Sequence, residues 1–171
     1  MPGYLHVYTG NGKGKTTAAF GLALRAAGAG KQVFFAQFVK GKMYSEIKAV
    51  QSWIPSITLR QYGRGCFIVK KPKPADISAA REGLAEITKI LQSGTYGLVI
   101  LDEATIALYY GLFDLDELLD ALRSRHPETE AVVTGRYAPP GLIDAADLVS
   151  EINEIKHYYT KGIEAREGIE Y

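Results

Sequence analysis

One cysteine, Cys66, is present in 171 residues. A single thiol excludes an internal disulfide and is too few for a cysteine-based zinc site. This usage fits a reducing compartment, and a cytoplasmic location is expected. Charge of one sign is also lacking, since 20 Lys plus Arg face 19 Asp plus Glu, a net charge of +1. Without a global positive field, neither nucleic acid nor an anionic membrane is expected as a partner, and any polyanion must be bound locally at a built site. No stretch approaches the roughly 18 consecutive apolar residues that a membrane span needs. Met1-Pro2-Gly3-Tyr4 has no basic stretch followed by an apolar one, so no signal peptide is expected. Repeats and low-complexity tracts are absent as well.

What is present is ordinary for a globular chain: 47% hydrophobic and 23% charged residues. The length suits one domain over residues 1–171, with a core large enough to stand without staples. Short apolar runs alternate with helical patterns. Strands are predicted at Leu5–Tyr8, Gln32–Phe38, Ile57–Gln61, Leu98–Leu101, Ala131–Thr134 and Leu148–Ile152. Helices are predicted from Thr16 to Ala29, with Gly30 as C-cap, and over Ser45–Trp53. Another follows Asp76, whose Ile77, Ala80, Leu84, Ile87 and Leu91 step by three and four. Asp114 opens a helix through Leu122, and Pro140 suits the first turn of a short one. Tyr62–Pro74 reads as a loop, and the tail after Asn153 has no clear assignment. Strands separated by helices imply an α/β fold with a mainly parallel sheet, helices on both faces and strands buried on both sides.

The strongest motif is Thr9-Gly10-Asn11-Gly12-Lys13-Gly14-Lys15-Thr16-Thr17. It lies between a predicted strand and a predicted helix, the context of a phosphate-binding loop. Glycines let successive N–H groups turn inward as a nest, and the helix N-terminus adds partial positive charge. Lys15 adds a point charge, and the Thr16 hydroxyl can ligate Mg²⁺. The standard motif has glycine where this chain has Thr9. Asp102-Glu103 closes the apolar strand at the edge where α/β sheets bind ligands. One or both carboxylates would hold Mg²⁺, directly or through water; the same pair would also suit a helix N-terminus. Arg136, after the fifth strand, could clamp a phosphate or be a surface arginine. Lys40 and Lys42 stand in the same position, whereas Lys70, Lys71 and Lys73 read as a solvated loop face.

Several separated blocks resemble the ATP:corrinoid adenosyltransferases of the P-loop type. Thr9 through Gly21 is similar to that family's nucleotide loop, Thr9 included, and Gln37-Phe38-Val39-Lys40-Gly41 to its second-strand motif. Leu101-Asp102-Glu103 and Thr134-Gly135-Arg136 resemble its later strand ends. Val149-Ser150-Glu151, Lys156-His157 and Gly168-Ile169-Glu170-Tyr171 resemble its C-terminal signature. The resemblance implies a RecA-like sheet of about six strands, a homodimer, a flavodoxin-like reductase partner and a place in cobalamin synthesis or salvage. It implies ATP, Mg²⁺ or Mn²⁺, and a corrinoid substrate. ATP would lie reversed on the loop, with its γ-phosphate deep and ribose C5′ towards the corrinoid. Thr9 through Thr17 and Arg136 would bind the nucleotide. Lys15 and Glu103 would act in catalysis, and Thr16, Asp102 and Glu103 at the metal. The Co(I) of the corrinoid would attack C5′, so no general base is needed, only positioning and preorganised charge.

Two features depart from the family's pattern. Members with a characterised corrinoid pocket place aromatic residues after a Gly-x-Gly, whereas here the run is Gly63-Arg64-Gly65-Cys66-Phe67-Ile68. Phe67 either displaces the lower axial ligand or packs as a loop aromatic. Many members also carry an N-terminal segment over the site, and this chain reaches its first strand by Leu5, so that lid is expected to be absent or replaced. A P-loop small-molecule kinase, a RecA-type nucleic-acid-dependent ATPase and a carrier of adenosylcorrinoid remain as alternatives, separable by their products.

Overall fold

In Leu98-Val99-Ile100-Leu101 every side chain is buried, which only a strand covered on both faces allows. The computed structural model, which describes residues 1–41, 44–63 and 71–170, shows how. Six strands, β1 (Leu5–Thr9), β2 (Val33–Phe38), β3 (Ile57–Tyr62), β4 (Leu98–Asp102), β5 (Glu130–Thr134) and β6 (Leu148–Glu151), form one sheet in the order β3-β2-β4-β5-β1-β6. Every pairing is parallel. The helices between them are α1 (Lys15–Gly28), α2 (Ser45–Trp53), α3 (Pro74–Ser93), α4 (Ala104–Tyr109), α5 (Leu115–Arg123) and α6 (Pro140–Ala145).

The period of two along each strand divides the core into two layers. Phe34, Ala36 and Phe38 of β2, with Val99 and Leu101 of β4, face a layer built from α3, α4, α5 and α6. Val33 and Phe35, with Leu98 and Ile100, face α1 and α2. There the small Ala19 and Ala23 let α1 lie close to the sheet, and Phe20 stacks on Phe35 with ring centroids 4.0 Å apart. Each fully buried Phe or Leu contributes about 1.5–3 kcal/mol by leaving water.

Helix ends follow local chemistry, with small corrections to expectation. Asp76 is not the N-cap of α3. Lys73 occupies that position, Pro74 takes the first turn, and Asp76 Oδ2 accepts the Lys73 N–H at 2.8 Å. Asp114 caps α5 as expected, and its N–H donates to Glu117 Oε2 at 2.7 Å. Gly30 closes α1 as expected, left-handed at φ 79° just past Ala29, with its N–H donating to Ala27 O at 2.9 Å and the Lys31 N–H to Ala26 O at 3.0 Å. Tyr62 ends β3 and Pro74 starts α3, so both ends of the stretch expected to be a loop belong to regular elements. β6 departs from burial on both faces: all four of its residues are exposed at the edge of the sheet, where it pairs with β1. No helix among the described residues is long and apolar enough to cross a membrane.

This strand order positions the site. β5 lies between β1 and β4. The turn after β1, the carboxylates ending β4 and the Thr134 hydroxyl ending β5 therefore meet at the C-terminal edge of the sheet.

Candidate functional site

β1 ends at Thr9, and the loop that follows returns to the sheet at Lys15. Gly14, at φ 122°, adopts a backbone that side chains rarely tolerate and turns the chain into α1. Gly12 is required for closeness, since a Cβ there would stand 2.8 Å from the Ile152 carbonyl oxygen. The loop is tied to the end of β6 by Gly12 N–H donating to Ile152 O at 2.7 Å and Ile152 N–H to Thr9 O at 2.8 Å.

Lys15 curls back over this loop and is only 6% exposed. Its ammonium donates to the carbonyls of Gly10 at 2.7 Å and Gly12 at 2.6 Å. Burial lowers its pKa, and the Arg136 charge lowers it further. A bound polyanion would offset both effects.

Across the cleft, Asp102 is fully buried and both of its oxygens are engaged. Oδ1 accepts from the Thr16 hydroxyl at 2.8 Å and the Thr134 hydroxyl at 2.6 Å. Oδ2 accepts from Lys40 Nζ at 2.8 Å and Gln37 Nε2 at 3.2 Å. Burial disfavours the Lys40 charge most strongly as a single effect. The charge and hydrogen bond of Asp102, helped by Glu103 and Glu46, outweigh it and leave the pKa raised. Lys40 also reaches the Thr16 hydroxyl at 3.2 Å. The Lys40 that sequence alone left undecided is thus part of the site.

Glu103 follows β4 in the left-handed region, at φ 59°. Its N–H is held by the Thr134 hydroxyl at 3.1 Å, and its side chain lines the cleft. Burial raises its pKa, as does the neighbouring Asp102. Of the two carboxylates read as metal ligands, Glu103 lines the cleft, whereas Asp102 stands behind Thr16 and orients it. No group of three or more His, Cys, Asp or Glu able to hold a metal is found among the described residues. Thr16 and Glu103, both lining the cleft, could offer the one or two protein oxygens that Mg²⁺ takes, with phosphates and water completing its shell.

The cleft has a volume of about 510 Å³. Asn11 through Thr17 line one wall, and Lys40, Glu103 and Arg136 line another. Thr9 and Gly10 shape the loop from below. Lys71 and Lys73 do not line it, and Lys42, Lys70, Cys66, Phe67, Ile68 and Tyr171 lie outside the described residues.

The C-terminal segment is the part that sequence left unplaced. Glu154, His157, Gly168, Ile169 and Glu170 line the same cleft as the loop. Lys13 is drawn to that segment. Its ammonium donates to Glu170 Oε1 at 2.8 Å, Ile169 O at 2.9 Å and the Tyr158 hydroxyl at 3.2 Å. Tyr158 and Arg166 also donate to Glu170. The hydrogen bonds from Lys13 and then Tyr158 hold the Glu170 pKa well below the usual carboxylate range. The Lys13 contacts span more than 140 residues of sequence and have no periodic signature; the C-terminal blocks that carried the family resemblance were their only trace.

Comparison with known proteins gives a consistent picture. The family described as ATP:corrinoid adenosyltransferase BtuR/CobO/CobP matches residues 1–171. A corrinoid adenosyltransferase of Pseudomonas aeruginosa is 38% identical over 170 residues, covering 99% of this chain and 84% of that protein. Corrinoid adenosyltransferase CobA of Salmonella typhimurium is 34% identical over 169 residues, covering 99% and 86%. Among solved structures, flagellar accessory protein FlaH of Methanocaldococcus jannaschii superposes with a TM-score of 0.58 at 12% identity, over 88% of this chain and 71% of that one. That likeness shows a shared fold alone.

Proposed function

Because this chain belongs to the ATP:corrinoid adenosyltransferase family, we propose that it moves the 5′-deoxyadenosyl group of ATP to the Co(I) of a reduced corrinoid, releasing triphosphate, in cobalamin synthesis or salvage. The observation that carries this reading is one cleft in which the Asn11–Thr17 loop meets Glu103 and the Thr16–Asp102–Lys40 network. Residues 1–171 act as one catalytic domain, working in the cytoplasm as a homodimer and supplied with electrons by a flavodoxin-like reductase.

The lone pair of Co(I) forms a bond to C5′, the C5′–oxygen bond breaks, and that electron pair leaves with the triphosphate. No proton moves in this step, so the protein's work is alignment and charge compensation. Lys15 exchanges its two loop carbonyls for triphosphate oxygens. Lys40 and Arg136 add positive charge from the other wall. Thr16 and Glu103 would hold Mg²⁺, which neutralises charge on the leaving group when bound. Asp102 keeps the Thr16 hydroxyl oriented by accepting its hydrogen bond, leaving for the ion the oxygen lone pair that does not accept from Lys40.

The test is anaerobic: protein, ATP, Mg²⁺ and chemically reduced cob(I)alamin, with the visible spectrum and triphosphate followed together. Light-sensitive adenosylcobalamin and an equal amount of triphosphate are expected. ADP formed with another acceptor, and no cobalt–carbon product, would overturn the reading in favour of a kinase. Lys15→Ala should weaken ATP binding about 10- to 100-fold, the effect of one charged hydrogen-bonding group; unchanged affinity and rate would remove Lys15 from the site.

A further inference from the structure

Among the described residues, three non-glycine residues have positive φ: Val39 at 59°, Glu103 at 59° and Tyr137 at 60°. All three follow strands, β2, β4 and β5, at the edge that bears the cleft. Strain of this kind persists where surrounding structure enforces it, and it concentrates at functional sites. Glu103 already has a place in the nucleotide site; Tyr137 has none. For a bulky aromatic residue this backbone is an outlier that packing must justify, yet Tyr137 is 57% exposed.

What Tyr137 meets is another exposed ring. Tyr109, the last residue of α4, is 62% exposed, and the two rings lie 4.6 Å apart, tilted by 32°. The arrangement is built. The Thr105 hydroxyl in α4 donates to the Arg136 carbonyl at 2.6 Å and pins the β5 turn to the helix. Tyr110, behind Tyr109, makes an edge contact at 5.4 Å and anchors in the core. The result is a two-ring shelf next to Arg136, a residue of the cleft wall. Arg136 lines the cleft and adjoins Tyr137 in sequence, and Tyr109 stands about 9 Å along α4 from Glu103. No hydrogen bond to either phenol is found among the described residues, so both hydroxyls are open to a ligand.

We infer that Tyr109 and Tyr137 form the docking shelf for the corrinoid acceptor, carrying one edge of its macrocycle and its amide arms while C5′ of ATP is presented from the cleft. This rests on the function proposed above. A broad, flat, amide-fringed ligand is the chemistry that two stacked tyrosines suit: apolar ring faces for the macrocycle, and hydroxyls for the amides. Strain at Tyr137 fixes the shelf before the ligand arrives, which lowers the ordering cost of binding.

The test is binding of cob(II)alamin in the presence of MgATP, by anaerobic equilibrium dialysis, with steady-state kinetics alongside. Tyr109→Ala/Tyr137→Gly should weaken cob(II)alamin binding, and raise KM for cob(I)alamin, at least about tenfold. KM for ATP and the melting curve should stay as in the wild type. Tyr109→Phe/Tyr137→Phe, which keeps the stack, should recover most of the affinity. Unchanged corrinoid affinity in the Ala/Gly variant would overturn the shelf, and a change in oligomeric state with affinity intact would give this face to a second copy of the chain instead. A wild-type protein that binds cob(II)alamin through these tyrosines yet makes no adenosyl product would sink the proposed reaction and leave the shelf standing. A wild-type protein that binds no corrinoid would overturn both.

Discussion

Asp102→Asn removes one buried negative charge and turns one acceptor oxygen into a donor nitrogen. Four donors converge on this carboxylate, from Thr16, Thr134, Lys40 and Gln37. If the asparagine oxygen serves the two hydroxyls, its NH₂ group faces the Lys40 ammonium and the Gln37 amide, donor against donor. Gln37 cannot flip at no cost, because its oxygen accepts from Gln61 Nε2 at 3.1 Å. Lys40 then becomes a buried charge without its carboxylate. Breaking one side of a buried pair costs about 3–5 kcal/mol, and the low end applies here because the Lys40 side chain keeps 15% exposure. With roughly 2–4 °C lost per kcal/mol in a domain of this size, a loss of about 3 kcal/mol lowers Tm by roughly 6–12 °C. The assay is thermal denaturation followed by circular dichroism at pH 7, without nucleotide. Asp102→Asn/Lys40→Met, which removes the orphaned charge, should melt well above the single variant. A single variant within about 2 °C of wild type, or a double variant less stable than both singles, would refute the reasoning.

Other expectations follow from the same geometry. Burial and the adjacent Asp102 raise the pKa of Glu103. Its stabilising contribution is therefore full below the ordinary carboxylate pKa and is lost as pH rises through the raised value. Glu103→Gln should accordingly melt above wild type at pH 7, the gain fading as pH falls, while Mg²⁺-dependent ATP binding weakens; an unchanged Mg²⁺ dependence would exclude Glu103 from the metal. Gly12→Ala forces a Cβ to within 2.8 Å of Ile152 O, so ATP affinity and Tm should both drop, and a variant with wild-type values for both would contradict the close packing. Glu170→Gln should leave Tm nearly unchanged, as an ion pair whose lysine lies open to solvent contributes little, but should expose the chain after Tyr158 to limited proteolysis. Equal cleavage rates would mean that Glu170 does not hold the tail to Lys13.

The local elements, the glycine-rich loop and the carboxylate strand end were legible in the sequence because each is written in neighbouring residues. Periodicity marks α3, a continuous apolar run marks β4, and glycines with Lys15 and Thr16, set between a strand and a helix, mark the loop that joins β1 to α1. Helix ends shifted by a residue or more, as with Asp76, because caps depend on backbone detail that residue type only biases. Tertiary structure alone decided the rest. The order β3-β2-β4-β5-β1-β6 sets Thr134 between loop and carboxylates, turns Asp102 inward and Glu103 outward, and makes β6 an exposed edge. It also brings Lys13 to Glu170 and Tyr109 to Tyr137, pairs of residues far apart in the chain. Such contacts carry no sequence period, since they are fixed by which strands become neighbours, and that is settled by the packing of the whole sheet.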